Sequence, residues 1–167
     1  MNRAQGFGSA LFLSVGRRDE AWGRICDMIY LCGRDSRLEG FVYTPIGFVA
    51  SPFQDKDSTP KFYTDSGETL ATLEILPEYA DALLGVVPGM RLLMLFHFHQ
   101  NTEHSLQVKK RGTGPLTGVF ATRSPRRPNL IGASIITVVS LEGNTIRFHG
   151  VDMLDGTPVL DLKVQKE

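Results

Sequence analysis

From residue 41 onward the chain alternates short apolar runs with polar breakers at strand length. Residues 46–50 (IGFVA) stop at Ser51-Pro52-Phe53, and a polar loop containing Pro60 fills residues 54–67. Residues 68–76 (ETLATLEIL) have strand character. Pro77 then stands where proline suits the first turn of a helix, so residues 77–86 read as one short helix. Residues 90–99 (MRLLMLFHFH) are a near-continuous apolar run, expected as a central strand. Residues 100–117 read as a polar, glycine-bearing loop. Residues 134–141 and 145–151 are β-branched runs around Glu142-Gly143-Asn144, a hairpin signal, and residues 154–158 (LDGTP) turn into a last strand at 159–164. Many strands, few helical stretches and no βαβ rhythm predict a mainly β fold: a single antiparallel β-barrel with one or two short helices.

Residues 1–40 are written differently. Trp22, Ile25, Cys26 and Ile29 follow helical spacing, Asp19 is placed to cap the start and Gly33 to end it. This predicts an N-terminal helical appendage over 1–40 and a barrel domain over 41–167. The only two cysteines, Cys26 and Cys32, are too few for a disulfide scaffold or a four-ligand zinc site, so free thiols in a reducing compartment are expected. The apolar residues 10–15 are followed by Arg17, Arg18, Asp19 and Glu20 rather than a cleavage pattern, and no run approaches the roughly 18 residues that span a bilayer. The expectation is a cytoplasmic protein with no membrane partner.

Charge changes this picture only locally. Eighteen Lys and Arg balance eighteen Asp and Glu, so an anionic partner must be met by a patch rather than by the whole field. The densest candidate is GVFATRSPRRPNLIGAS, residues 118–134. Pro125 and Pro128 stiffen it, and Gly118 and Gly132 permit close backbone approach at its ends. Arg123, Arg126 and Arg127 are spaced to serve more than one anion, a carboxylate held bidentately and a phosphate among them. Lys109, Lys110 and Arg111 add basic text nearby. His97, His99 and His104, with Glu103, are a second candidate, since HxH on a strand puts two imidazoles on one face. Packing histidines are the commoner outcome of such a pattern, and no metal is assigned. In residues 152–158, Asp155-Gly156 is a ready turn and also a carboxylate at a strand end.

Residues 118–134, preceded by Phe98-His99-Gln100 and followed by Asp155-Gly156-Thr157-Pro158, closely resemble the TsaA-like (TrmO-type) family of S-adenosylmethionine-dependent tRNA methyltransferases. Residues 46–53 (IGFVASPF) look like that family's opening strand, and the similarity spans about residues 42–163. The resemblance implies a β-barrel that uses S-adenosylmethionine as co-substrate and methylates N6 of threonylcarbamoyladenosine at position 37, in the tRNA anticodon loop. It also implies a homodimer with the site near the subunit interface. By motif position, His99, Gln100, Arg123, Ala133, Leu154, Asp155, Gly156 and Thr157 would contact the methyl donor, as would Phe62 and Tyr63 in the 60–63 loop. Asp155 would polarise the target N–H, while Lys109, Lys110, Arg111, Arg126, Arg127 and Asn129 would meet tRNA. Two positions depart from the family pattern: Pro-Lys-Phe-Tyr at 60–63 stands for Pro-Arg-Gln, and Leu130 stands for a proline. The competing readings are a non-catalytic RNA-binding barrel and a metal-dependent, cupin-like barrel enzyme.

Overall fold

The computed structural model describes residues 42–166, so the helix expected within residues 1–40, with its two cysteines, lies outside the described residues. Six strands close into a barrel: β1 (Gly47–Ala50), β2 (Leu70–Ile75), β3 (Arg91–His97), β6 (Ile131–Glu142), β7 (Thr145–His149) and β8 (Thr157–Val164). They run in the order β1-β2-β7-β6-β3-β8, with β8 pairing back onto β1 and every neighbour antiparallel. The predicted fold class is therefore the observed one.

Alternation fills the interior, because successive strand residues face opposite sides of the sheet. Ala71, Leu73 and Ile75 of β2, Leu92, Met94 and Phe96 of β3, and Ile146 and Phe148 of β7 all point inward and are buried. Gly132 of β6 is required by its neighbour: a Cβ there would lie 2.3 Å from the Phe96 ring. Gly118, at the loop's other end, faces open space, so its expected close approach is absent. Bulges between Leu95 and Phe96, and between Val138 and Ser140, break the register where small barrels need extra bend. The β6–β7 hairpin turns at Gly143-Asn144 as its sequence predicts. Asn144 then stitches it to β2, through Ile75 N–H to the Asn144 carbonyl at 2.9 Å and through its own side-chain amide to the Ile75 carbonyl.

Three expectations change. Residues Pro77–Leu83 form a 3-10 helix, and every other described helical segment is a three-residue 3-10 turn. The run at 90–99 is a strand only to His97. Residues 100–117 are not a plain loop: β4 (Gln107–Lys109) and β5 (Leu116–Gly118) pair as a separate two-stranded ribbon around the turn Lys110–Gly112. Alternation in that ribbon is only three residues long on each side, too short to register as a period against its polar text. No described helix is long and apolar enough to cross a membrane.

Candidate ligand cleft

The loop 119–130 and the turn at 152–157 rise from the same end of the barrel, and with the 59–62 segment they wall a cleft of about 970 Å³. That volume is at the upper end for small-molecule sites. Its apolar wall includes Phe62, Phe96, Phe98 and Met153. Phe96 and Phe98 meet edge to face, ring centroids 5.2 Å apart, which holds Phe98 at the point where β3 gives way to the His99–Gln100 turn.

The arginine loop is shaped mainly by its own side chains. Val119 N–H is tied to the Leu106 carbonyl at 2.9 Å, and the Thr122 hydroxyl donates to the Val119 carbonyl at 2.8 Å. Arg127 Nη1 donates to the Thr122 carbonyl at 2.8 Å and to that of Val119 at 3.3 Å. It lines the cleft but is engaged in closing this loop, whereas Arg126 is exposed. Asn101 Nδ2 donates to the Pro125 carbonyl at 3.1 Å and its Oδ1 accepts from Lys56 Nζ at 2.7 Å, bracing the loop from outside. Leu130 has φ +51°. A proline ring, fixed near φ −65°, cannot occupy that conformation, so the backbone here suits Leu130 and would not accept a proline.

Arg123 lies in the cleft and donates from Nη1 to the Ala133 carbonyl at 3.1 Å. Below it sits the one carboxylate among the described lining residues, Asp152. Asp152 Oδ1 accepts from the buried Ser134 hydroxyl at 2.6 Å, and its carboxylate also accepts the Tyr63 N–H. Burial raises its pKa from 3.8 to about 6, against the pull of the Ser134 and Tyr63 hydrogen bonds and of the Arg123 charge. His99 is half-buried, its Nδ1 3.4 Å from the Thr157 hydroxyl oxygen, whose own proton goes to the Leu154 carbonyl at 2.7 Å. Burial, and secondarily the His97 charge, lower the His99 pKa, with Asp155 opposing; burial alone lowers that of His97.

The cleft thus gathers Phe62, His99, Gln100, Arg123, Ala133, Leu154 and Thr157 of the expected donor set, with Lys109 and Lys110 at its edge. It does not gather Tyr63, Asp155, Gly156, Arg126 or Asn129. For Asp155 the reason is plain: its Oδ1 accepts the Ser51 N–H at 2.9 Å, while the Asp155 and Gly156 N–H groups bond the Phe53 and Val49 carbonyls at 2.8 Å each. That carboxylate caps the exit of β1. Arg111 belongs to the ribbon turn beside Lys110. The histidine triad does not assemble: His99 is off the strand, His104 is exposed, and no group of three His, Cys, Asp or Glu side chains converges among the described residues. Sequence reasoning passed over Asp152 as a site. Its signal was a charged residue set between Val151 and Met153, both of which are core.

Among the described residues, fold and cleft together define a small β-barrel with a basic, aromatic-walled cleft. The chain belongs to the family described as the tRNA-methyltransferase O N-terminal domain, whose model matches residues 48–165. It is 39% identical over 128 residues to the tRNA (adenine(37)-N6)-methyltransferase of Mus musculus, covering 71% of this chain and 29% of the mouse protein. It is 34% identical over 122 residues to the S-adenosyl-L-methionine-binding protein of Archaeoglobus fulgidus, covering 73% of this chain and 87% of that protein. Among solved structures, that of TrmO from Pseudomonas aeruginosa matches with TM-score 0.64 and 35% identity, covering 77% of this chain and 57% of that one. The chain therefore spans just over half of the bacterial TrmO and under a third of the mouse protein.

Proposed function

We propose that this protein is an S-adenosylmethionine-dependent tRNA methyltransferase that modifies N6 of adenine 37 carrying a threonylcarbamoyl group, working as a homodimer. The observation that carries the reading is the pairing, in one 970 Å³ cleft, of a half-committed guanidinium with a partly buried carboxylate beside an aromatic wall. A methyl donor of this kind presents a carboxylate, a sulfonium and an adenine. The cleft offers Arg123 for the first, Asp152 for the second's charge, and the faces of Phe62 and Phe98 for the third.

When bound, S-adenosylmethionine supplies an electrophilic methyl group on sulfur. The chain's own task is alignment with water excluded, the kind of effect that well-oriented intramolecular reactions show can be large. Phe96, Phe98 and Met153 supply the dry wall. In this reading Asp152 takes the proton that N6 gives up as it gains the methyl group, since a pKa of about 6 leaves it charged at neutral pH yet basic enough to accept. Ser134 Oγ–H and Tyr63 N–H fix which way that carboxylate faces. Lys61 keeps the positive charge of the family's arginine, and Phe62 exchanges a glutamine's hydrogen bonds for a stacking face.

Calorimetry with S-adenosylmethionine on wild type and Arg123→Ala tests the reading. Binding by wild type with a weakening of about tenfold or more in Arg123→Ala is expected, given the strength of hydrogen bonds to charged groups. No binding by wild type at millimolar ligand would leave only an RNA-binding barrel. Nucleoside mass analysis of tRNA from a deletion strain then reads the substrate: the expected result is threonylcarbamoyladenosine without its methyl group, and an unchanged profile refutes that assignment.

A further inference from the structure

Phe120 is an oddity on a well-tied loop. It is 78% exposed, although its neighbour Val119 is 1% exposed and pinned from several directions. The 3-10 turn Val119–Ala121 is held by Val119 N–H to the Leu106 carbonyl, by the Thr122 backbone and hydroxyl to the Val119 carbonyl, and by Arg127 Nη1 on the same oxygen. The backbone that carries the ring is therefore preorganised while the ring faces water at the cleft mouth. Hydrophobic burial does not explain this placement.

Its surroundings indicate what would cover it. Lys56, Lys61, Lys109, Lys110 and Arg123 line the same cleft, against the one carboxylate among its described lining residues, Asp152. A chain with no net charge thus has part of its positive charge lining the same cleft as this exposed aromatic. An anionic partner that also presents flat π-faces matches that combination, and unpaired nucleotides of RNA do: phosphates meet the lysines and a splayed base meets the ring. A protein partner with acidic and apolar groups would match the charge but has no need of a planar platform.

We propose that Phe120 is a stacking platform for an unstacked base of the RNA substrate, flanked by phosphate contacts from Lys109 and Lys110. This deepens the tRNA reading and rests on it. Phe120 is exposed, whereas Phe62 and Phe98, assigned to the methyl donor, are partly buried, so the two adenines involved in the reaction would use separate rings.

The test uses the full chain and an anticodon stem-loop RNA as probe, with wild type, Phe120→Ala, Phe120→Leu and Phe120→Trp. Phe120→Ala is expected to weaken RNA binding roughly 5- to 150-fold, the range for loss of one base–aromatic stack, with the salt dependence unchanged. Phe120→Trp restores binding and Phe120→Leu does not, because leucine keeps the apolar bulk but lacks the π-face. S-adenosylmethionine affinity, measured separately, stays at the wild-type value. Equal binding by wild type and Phe120→Ala overturns the proposal while leaving the tRNA reading intact, and so does full rescue by leucine. Loss of S-adenosylmethionine affinity in Phe120→Ala would assign the ring to the donor. Loss of self-association, to which exposed Leu106 and Leu116 on the adjacent ribbon would also contribute, would assign it to a second copy of the chain. Either result overturns the stack. Failure of wild type itself to bind RNA sinks the tRNA reading first.

Discussion

Two of the segments that wall the cleft, residues 119–130 and residues 152–157, each carry like-charged side chains a few positions apart. In each segment one of these side chains ties the main chain together and another lines the cleft. Arg127 closes the loop by donating to Thr122 and Val119, while Arg123 gives a single bond to Ala133 and lies in the cleft. Asp155 caps Ser51, while Asp152 stays in the cleft beneath Ser134. The segments differ in how they are held. The loop is largely closed by contacts within itself, five to eight residues apart for Arg127, whereas the turn is tied to β1 across 104 residues of sequence. The lesson is that a charged residue becomes structural where it is the nearest partner for an unpaired backbone group, whatever its resemblance to a functional motif.

The largest expected effect separates the two aspartates. Asp152 has its pKa raised in the fold from 3.8 to about 6, so the native state holds its proton more tightly than the unfolded chain. Its contribution to stability is fully present below about pH 4 and is lost as pH rises through about 6, a swing on the order of 3 kcal/mol. Denaturant unfolding at pH 4 and pH 7.5 should therefore show wild type losing stability relative to Asp152→Asn, which cannot titrate. Activity should run the other way, rising in wild type through about pH 6 and staying low in Asp152→Asn. Asp155→Ala should instead cost about 1–3 kcal/mol by leaving the Ser51 N–H without its acceptor. If Asp155→Ala lowers activity while leaving stability unchanged, its assignment as a cap is wrong.

Next comes the arginine pair. Arg127→Ala should destabilise by about 2 kcal/mol through the lost charged hydrogen bonds to Thr122 and Val119. Arg126→Ala should leave the melting temperature within a degree or so and lower the salt slope of RNA binding by about one phosphate contact. A reversal of these two phenotypes would reverse the assignment. The smallest effect is at Leu130, whose φ of +51° costs a non-glycine residue about 1–2 kcal/mol. Leu130→Gly should recover about 1 kcal/mol in chemical denaturation, less what glycine's freedom adds to the unfolded state. Leu130→Pro, though it restores the family's residue, should destabilise, because it forbids the φ seen here.

Alternation by itself determined the barrel. Leu73, Met94, Phe96, Ile146 and Phe148 sit inside because every second strand residue must, and hairpin chemistry at Gly143-Asn144 followed from local rules. Motif text likewise pointed to residues that line the cleft, at His99, Gln100, Arg123 and Leu154. Local sequence did not carry the distinction between Asp152 and Asp155, or among Arg123, Arg126 and Arg127. Each of those depends on which backbone groups another part of the chain leaves unpaired, and Ser51, which claims Asp155, arrives from 104 residues away. Periodicity and turn propensity are properties of neighbouring residues. The pairing of buried polar groups is a property of the closed barrel, and only closure brought Ser134, Tyr63 and Arg123 around one carboxylate.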